Sequence, residues 1–148
     1  MKILGIKNGR DSLNWVVVQG STRSDAVVLA YHEVTAPSGD RPDQLAWLRR
    51  EILEMVTCHG VDGSSLRLAE AGMSGAPNFG RAEMDGVVQA TLADQKVPLK
   101  LYKSATVRSA FGKSKAIAEA AQNGLPSVSA SAKTRRDQLI VALAQFKD

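Results

Sequence analysis

The stretch MKILGIKNG (1–9) decides how the rest of the chain is read. Its apolar run KILGI has the character of a central β-strand, and KNG turns the chain at once. Two further strand-like runs follow. LNWVVVQG (13–20) is rich in β-branched and aromatic residues and ends at Gly20, and AVVLAYHEVT (26–35) comes after the polar turn STRSD. Such short spacings predict a three-stranded antiparallel meander. APSGDRP (36–42) then breaks the pattern.

Beyond the break the period changes. In DQLAWLRREILEMVTCHG (43–60), Leu45, Leu48, Ile52 and Val56 recur at helical spacing, with Asp40 as N-cap, Pro42 in the first turn and Gly60 as the stop. SLRLAEA (65–71) reads as a fourth strand, joined to the sheet by a right-handed crossover. GMSGAPNFG (72–80) reads as a glycine-rich loop. RAEMDGVVQATLADQ (81–95) is a helix with Val88, Thr91 and Leu92 inward, and VPLKLYK (97–103) is a fifth strand. Short helices are expected near 105–111 and 114–122, a loop over 122–134, and a last helix in RRDQLIVALAQF with Leu139, Leu143 and Phe146 on one face. The order β-β-β-α-β-α-β-α-α predicts an α/β fold, and a mixed five-stranded sheet with helices on both faces is one of several arrangements that it allows.

Composition bounds the function. With 148 residues, 44% of them apolar and 23% charged, the chain fits a single soluble domain spanning 1–148. No run is long and apolar enough for a membrane span, and the start lacks the pattern of a secretory signal. One cysteine, Cys58, excludes an internal disulfide and fits a reducing compartment. These features lead to the expectation of a cytoplasmic protein. The net charge of +4 is unevenly placed. Lys100, Lys103, Arg108, Lys113, Lys115, Lys133, Arg135 and Arg136 face one acid, Glu119, giving +7 over 100–136 and −3 elsewhere. Such a cluster attracts polyanions, nucleic acid first among them; a solvated basic face is the alternative.

Several motifs fail on inspection. FGKS (111–114) lacks the P-loop's upstream glycine, because that position is Val107. Gly72, Gly75 and Gly80 do not match a dinucleotide fingerprint. Cys58, His59 and His32 cannot assemble a zinc site of usual spacing, and helix neighbours such as Cys58 and His59 do not face each other.

Taken in order, four segments resemble the ribonuclease H-like superfamily in its RuvC-type Holliday-junction resolvase branch. They are MKILGIKNG, LRLAEA with FGRAEMDGVVQATLADQKVPLKLY, SATVRSAFGKSK, and RRDQLIVALAQF. Together they cover nearly the full chain. The resemblance implies four carboxylates holding two divalent cations about 4 Å apart, one activating water and the other stabilising the departing oxygen. Hard Mg²⁺ requires oxygen ligands. By position the family's acids fall on Lys7, Glu70, Thr134 and Asp137, so only Glu70 and Asp137 remain.

Lys7 places an ammonium where the ions would sit, and is expected within salt-bridge reach of Glu70 or Asp137. Asp11 is a candidate replacement ligand. Glu70 also reads as a solvent-facing strand end, and TRRD (134–137) as a capping-box-like helix start in which Asp137 complements the helix dipole. Phe79 matches the position of the family's junction-wedging aromatic, although it could equally staple the next helix.

The resemblance therefore implies a nucleic-acid-binding relative of a nuclease, catalytically impaired, with no cofactor. Its expected partner is DNA, branched or single-stranded, contacted through Phe79, Lys103, Arg108, Lys113, Lys115, Arg135 and Arg136. Two alternatives stay open: an active Mg²⁺-dependent endonuclease that completes its site with Asp11 or a partner's acids, and a non-catalytic interaction scaffold dimerising through the first or second helix.

Overall fold

The structure is a computed structural model and describes residues 1–71, 75, 78–113, 115–117 and 136–148. Strands β1 (Lys2–Asn8), β2 (Ser12–Gln19) and β3 (Val27–Thr35) form the antiparallel meander. Helix α1 (Arg41–His59) leads to β4 (Gly63–Arg67), and α2 (Phe79–Asp94) leads to β5 (Leu99–Tyr102). Then come α3 (Ser104–Phe111) and α4 (Arg136–Leu143). The sheet order is β3-β2-β1-β4-β5, with β4 parallel to β1 and β5 parallel to β4. The mixed five-stranded α/β arrangement read from the sequence is thus present.

Alternation along the strands divides the core in two. Leu4, Ile6, Leu13, Trp15 and Val17 face α1 and α2, meeting Leu48, Ile52, Met55, Met84, Val88 and Leu92. Ile3, Val16 and Val18 face the other way, onto Val107, Phe111, Leu139, Val141, Ala142, Leu143 and Phe146. Each fully buried Leu, Ile or Phe in these layers is worth about 1.5–3 kcal/mol of transfer free energy. Between β1 and α4 the approach is so close that a Cβ on Gly5 would lie 2.1 Å from the Gln138 carbonyl oxygen. Glycine is required there by space.

Several boundaries differ from expectation. Within α1 the deeply buried residue of the last turns is Met55, with Val56 only partly covered. Asp40 is the N-cap by backbone alone, its carbonyl accepting from Asp43 and Gln44. Gly60 takes the left-handed conformation, φ 57°, that ends the helix. Strand β4 stops at Arg67, so Glu70 lies past the strand and not within it. Conversely α2 begins earlier than expected, at Phe79, because the Asn78 side chain accepts from the Arg81 amide. The expected loop over 122–134 and most of the helix near 114–122 lie outside the described residues.

The turn between β2 and β3 fastens the C-terminal segment. Arg23 donates to the carbonyls of Ala110 and Leu143, pairs with Asp148 at 3.0 Å, and lies 4.3 Å over the Phe111 ring. This one guanidinium therefore satisfies carbonyls at the ends of α3 and α4. Trp15 holds His32 edge-on and His59 at a tilt of 55°, which gives both histidines packing roles.

Candidate functional site

At the carboxyl ends of β1 and β4, Lys7 stands in parallel register with Arg67. Equal register in a parallel pair sends both side chains to the same face, here the one covered by α4. Each then meets a different acid. Lys7 Nζ donates to Asp137 Oδ2 at 2.6 Å, the two side chains being 25% and 36% exposed. Arg67 Nη1 donates to Glu70 Oε2 at 2.7 Å and Nη2 to Ser104 Oγ at 2.7 Å. Glu70 Oε2 also accepts from the Ser104 amide at 3.1 Å and hydroxyl at 2.8 Å. With the Arg67 guanidinium first and Ser104 second, these donors pull the Glu70 carboxyl down to about 2.

The expected contact of Lys7 with Glu70 or Asp137 is therefore present, and the acid is Asp137. Glu70 is held by Arg67 and Ser104 instead. Arg67 went unnoticed in the sequence because it sits inside a run read only as a strand.

Hard divalent cations require oxygens that are free to ligate. Here each carboxylate already touches a cationic side chain, and among the described residues no three of His, Cys, Asp or Glu gather. The donor set does not fit a pair of divalent ions as it stands. Asp11 does not repair it. This residue lines another cavity, of about 890 Å³, together with Arg10, Arg41, Asn78 and Phe79. A smaller cavity of about 170 Å³ opens beside the two ion pairs, lined by Arg67, Ser104, Arg108 and Asp137 over apolar Val107 and Ile140.

Behind the strand ends lies a second polar network that the sequence reading missed. Asn8, one residue after Lys7 and only 1% exposed, points to the opposite face and donates to Asp85 Oδ1 at 2.9 Å. Asp85 Oδ2 accepts from the Ala69 amide at 2.7 Å. Burial pushes the Asp85 carboxyl up, against the pull of those two donors. Arg81 adds bonds from Nη2 to the Arg67 and Leu68 carbonyls. The segment 67–69, from which Arg67 and Glu70 project, is thus fixed from below.

Phe79 opens α2 and is not in the loop; at 75% exposure it does not staple the helix to the sheet. Its backbone is well anchored, since Arg41 Nη2 donates to the Gly80 carbonyl at 2.6 Å and Arg41 pairs with Glu83. Lys103, at the N-cap of α3, and Arg108, Lys113 and Lys115 are all exposed. Thr134, Arg135 and the Arg136 side chain lie outside the described residues.

No protein-family model matches the chain, and no curated protein matches it. Solved structures do. RuvC of Thermus thermophilus in complex with a Holliday junction superposes with a TM-score of 0.78 at 18% identity, over 97% of this chain and 91% of that one. The yeast mitochondrial Holliday junction resolvase gives 0.56 at 9% identity, over 96% and 77%. The fowlpox virus resolvase, solved with Holliday junction DNA, gives 0.50 at 12% identity, over 97% and 95%. Meander, crossovers and closing helix together establish that this chain has the ribonuclease H-like fold in its RuvC-type form.

Proposed function

We propose that the chain is a nucleic-acid-binding protein on a nuclease scaffold, with cleavage impaired by a fixed cation in the place of the metal ions. The observation that carries this reading is the 2.6 Å contact of Lys7 with Asp137. An ammonium can neutralise a carboxylate and attract a phosphate, but it cannot lower the pKa of a bound water as a divalent ion does. Binding is supported by the exposed Phe79, a face on which a base can stack, and by Lys103, Arg108, Lys113 and Lys115, with Arg135 and Arg136 adding charge from the same stretch. DNA with branches or single-stranded segments, whose bases are open to an aromatic side chain, is the partner this combination favours.

The test is binding of a four-way junction, a duplex and a single strand across a salt series, with cleavage followed in Mg²⁺ and Mn²⁺. The expected result is steeply salt-dependent binding without cleavage, and gain of divalent-ion binding in Lys7→Asp. Metal-dependent cleavage by the wild type that disappears in Glu70→Gln would instead establish an active nuclease.

A further inference from the structure

We infer that Arg67 and Arg108, with Lys7 beside them, form a seat for one phosphodiester group that works without divalent metal. This rests on the nucleic-acid-binding reading and goes further by naming the group bound and the atoms that bind it.

The cavity beside the ion pairs is about 170 Å³, below the roughly 300–1,000 Å³ of sites that enclose a whole drug-sized ligand. Its size suits one small anionic group on a chain that continues outside. Two guanidinium groups line it, donors matched to phosphate oxygens, beside the Asp137 carboxylate that Lys7 neutralises; the Ser104 hydroxyl gives its proton to Glu70 and accepts from Arg67, so it orients Arg67. Arg67 has five N–H donors, and its bonds to Glu70, Ser104 and the Tyr102 carbonyl leave some unspent.

Arg67 is also held in place. Its side chain is 16% exposed, and the carbonyls of Arg67 and Leu68 are pinned by Arg81. Arg108 supplies the exposed half of the seat. Among the described residues it has no side-chain hydrogen-bond or ion-pair partner, so its charge is available. Counting Lys7, Arg67 and Arg108 against Asp137 and Glu70, the cluster has a net charge of +1 before any ion is added. In a metal nuclease the ions supply the charge that receives a phosphate. Here covalently fixed side chains supply it, Lys7 and Arg67 from the ends of β1 and β4 and Arg108 from α3.

The experiment measures Kd of the full chain for a four-way DNA junction by fluorescence anisotropy, at constant ionic strength, in EDTA or in millimolar MgCl₂. Wild-type binding is expected to persist in EDTA, since the seat holds no divalent ion that the chelator could remove. Arg108→Gln should weaken binding by roughly tenfold and lower the salt slope by about 1, the signature of one lost phosphate contact. Arg67→Lys, which keeps charge but loses the forked donors, should also weaken binding. Should that variant fail to fold, the exposed Arg108 still decides the matter. A requirement for Mg²⁺, or an unchanged salt slope in Arg108→Gln, overturns the seat while leaving nucleic-acid binding intact. Absence of salt-dependent binding in the wild type would overturn both readings.

Discussion

Lys7 and Asn8 are neighbours in β1, yet they belong to different worlds. Lys7 turns to the α4 face and pairs with a half-open acid at 2.6 Å; Asn8 turns to the α2 face and meets Asp85 out of reach of solvent. One residue of strand alternation separates a charged, accessible cluster from a sealed polar clamp. The contrast teaches that the shorter contact is not the more important for stability. An ion pair open to water is worth about 0–1 kcal/mol. A buried acceptor stripped of its donor costs about 1–3 kcal/mol, more when charged.

Four measurements would sharpen or break that contrast. The largest effect is expected for Gly5→Ala, on the Lys7 face, where the new methyl meets the Gln138 backbone and the Ala142 Cβ. Overpacking there should cost about 3 kcal/mol or more and shift the denaturant midpoint at unchanged slope. A loss below 0.5 kcal/mol would mean that α4 slides easily over β1. Next comes Asn8→Leu, which leaves Asp85 Oδ1 without its donor and should cost about 2–3 kcal/mol.

Acid titration of stability gives the third measurement, with opposite signs on the two faces. Glu70 has its folded value lowered to about 2, so its contribution is present above 4.5 and fades as pH falls from there towards 2. Asp85 is raised by burial, so its contribution is present below 3.8 and fades as pH rises through the higher folded value. Glu70→Gln should therefore flatten the acid limb of a Tm–pH curve. An unchanged limb would show that the Arg67 contact does not persist in solution.

The smallest effect is expected for Lys7→Met, within about 1 kcal/mol of wild type, because both partners keep partial contact with water. A loss near that of Asn8→Leu would erase the distinction between the faces.

The division between what the sequence disclosed and what it hid follows the same physics. Periodicity and punctuation sufficed for the strand meander, the crossover helices and the sheet, since runs such as LNWVVVQG and the DQLAWLRREILEMV segment state their period plainly. Lys7 was legible because a positive charge leaving an apolar strand is conspicuous, and its partner Asp137 lies where the closing helix begins. Arg67 was hidden by depending on register. Only once β4 is known to pair in parallel with β1 does Lys7↔Arg67 place two cations side by side. Asp85 left a trace that went unread: Met84, Asp85, Val88 and Leu92 follow helical spacing, so an acid stands on the buried face of α2. Glu70 was placed in the strand, where apolar SLRLA continues the pattern, because the backbone change after Arg67 has no local signal.

The two cores also differ in when they can close. The layer under α1 and α2 draws its buried residues from Leu4 to Leu92, so a growing chain can bury it early. The opposite layer waits for Phe146, because Ile3, Val16 and Val18 are covered by residues of the last helices. During synthesis that side of the sheet therefore lacks this cover until Phe146 has emerged, an interval in which its β-branched surface is open to other chains. A stall or truncation ahead of Leu139 would leave that surface bare for good, and chaperone demand should rise with it.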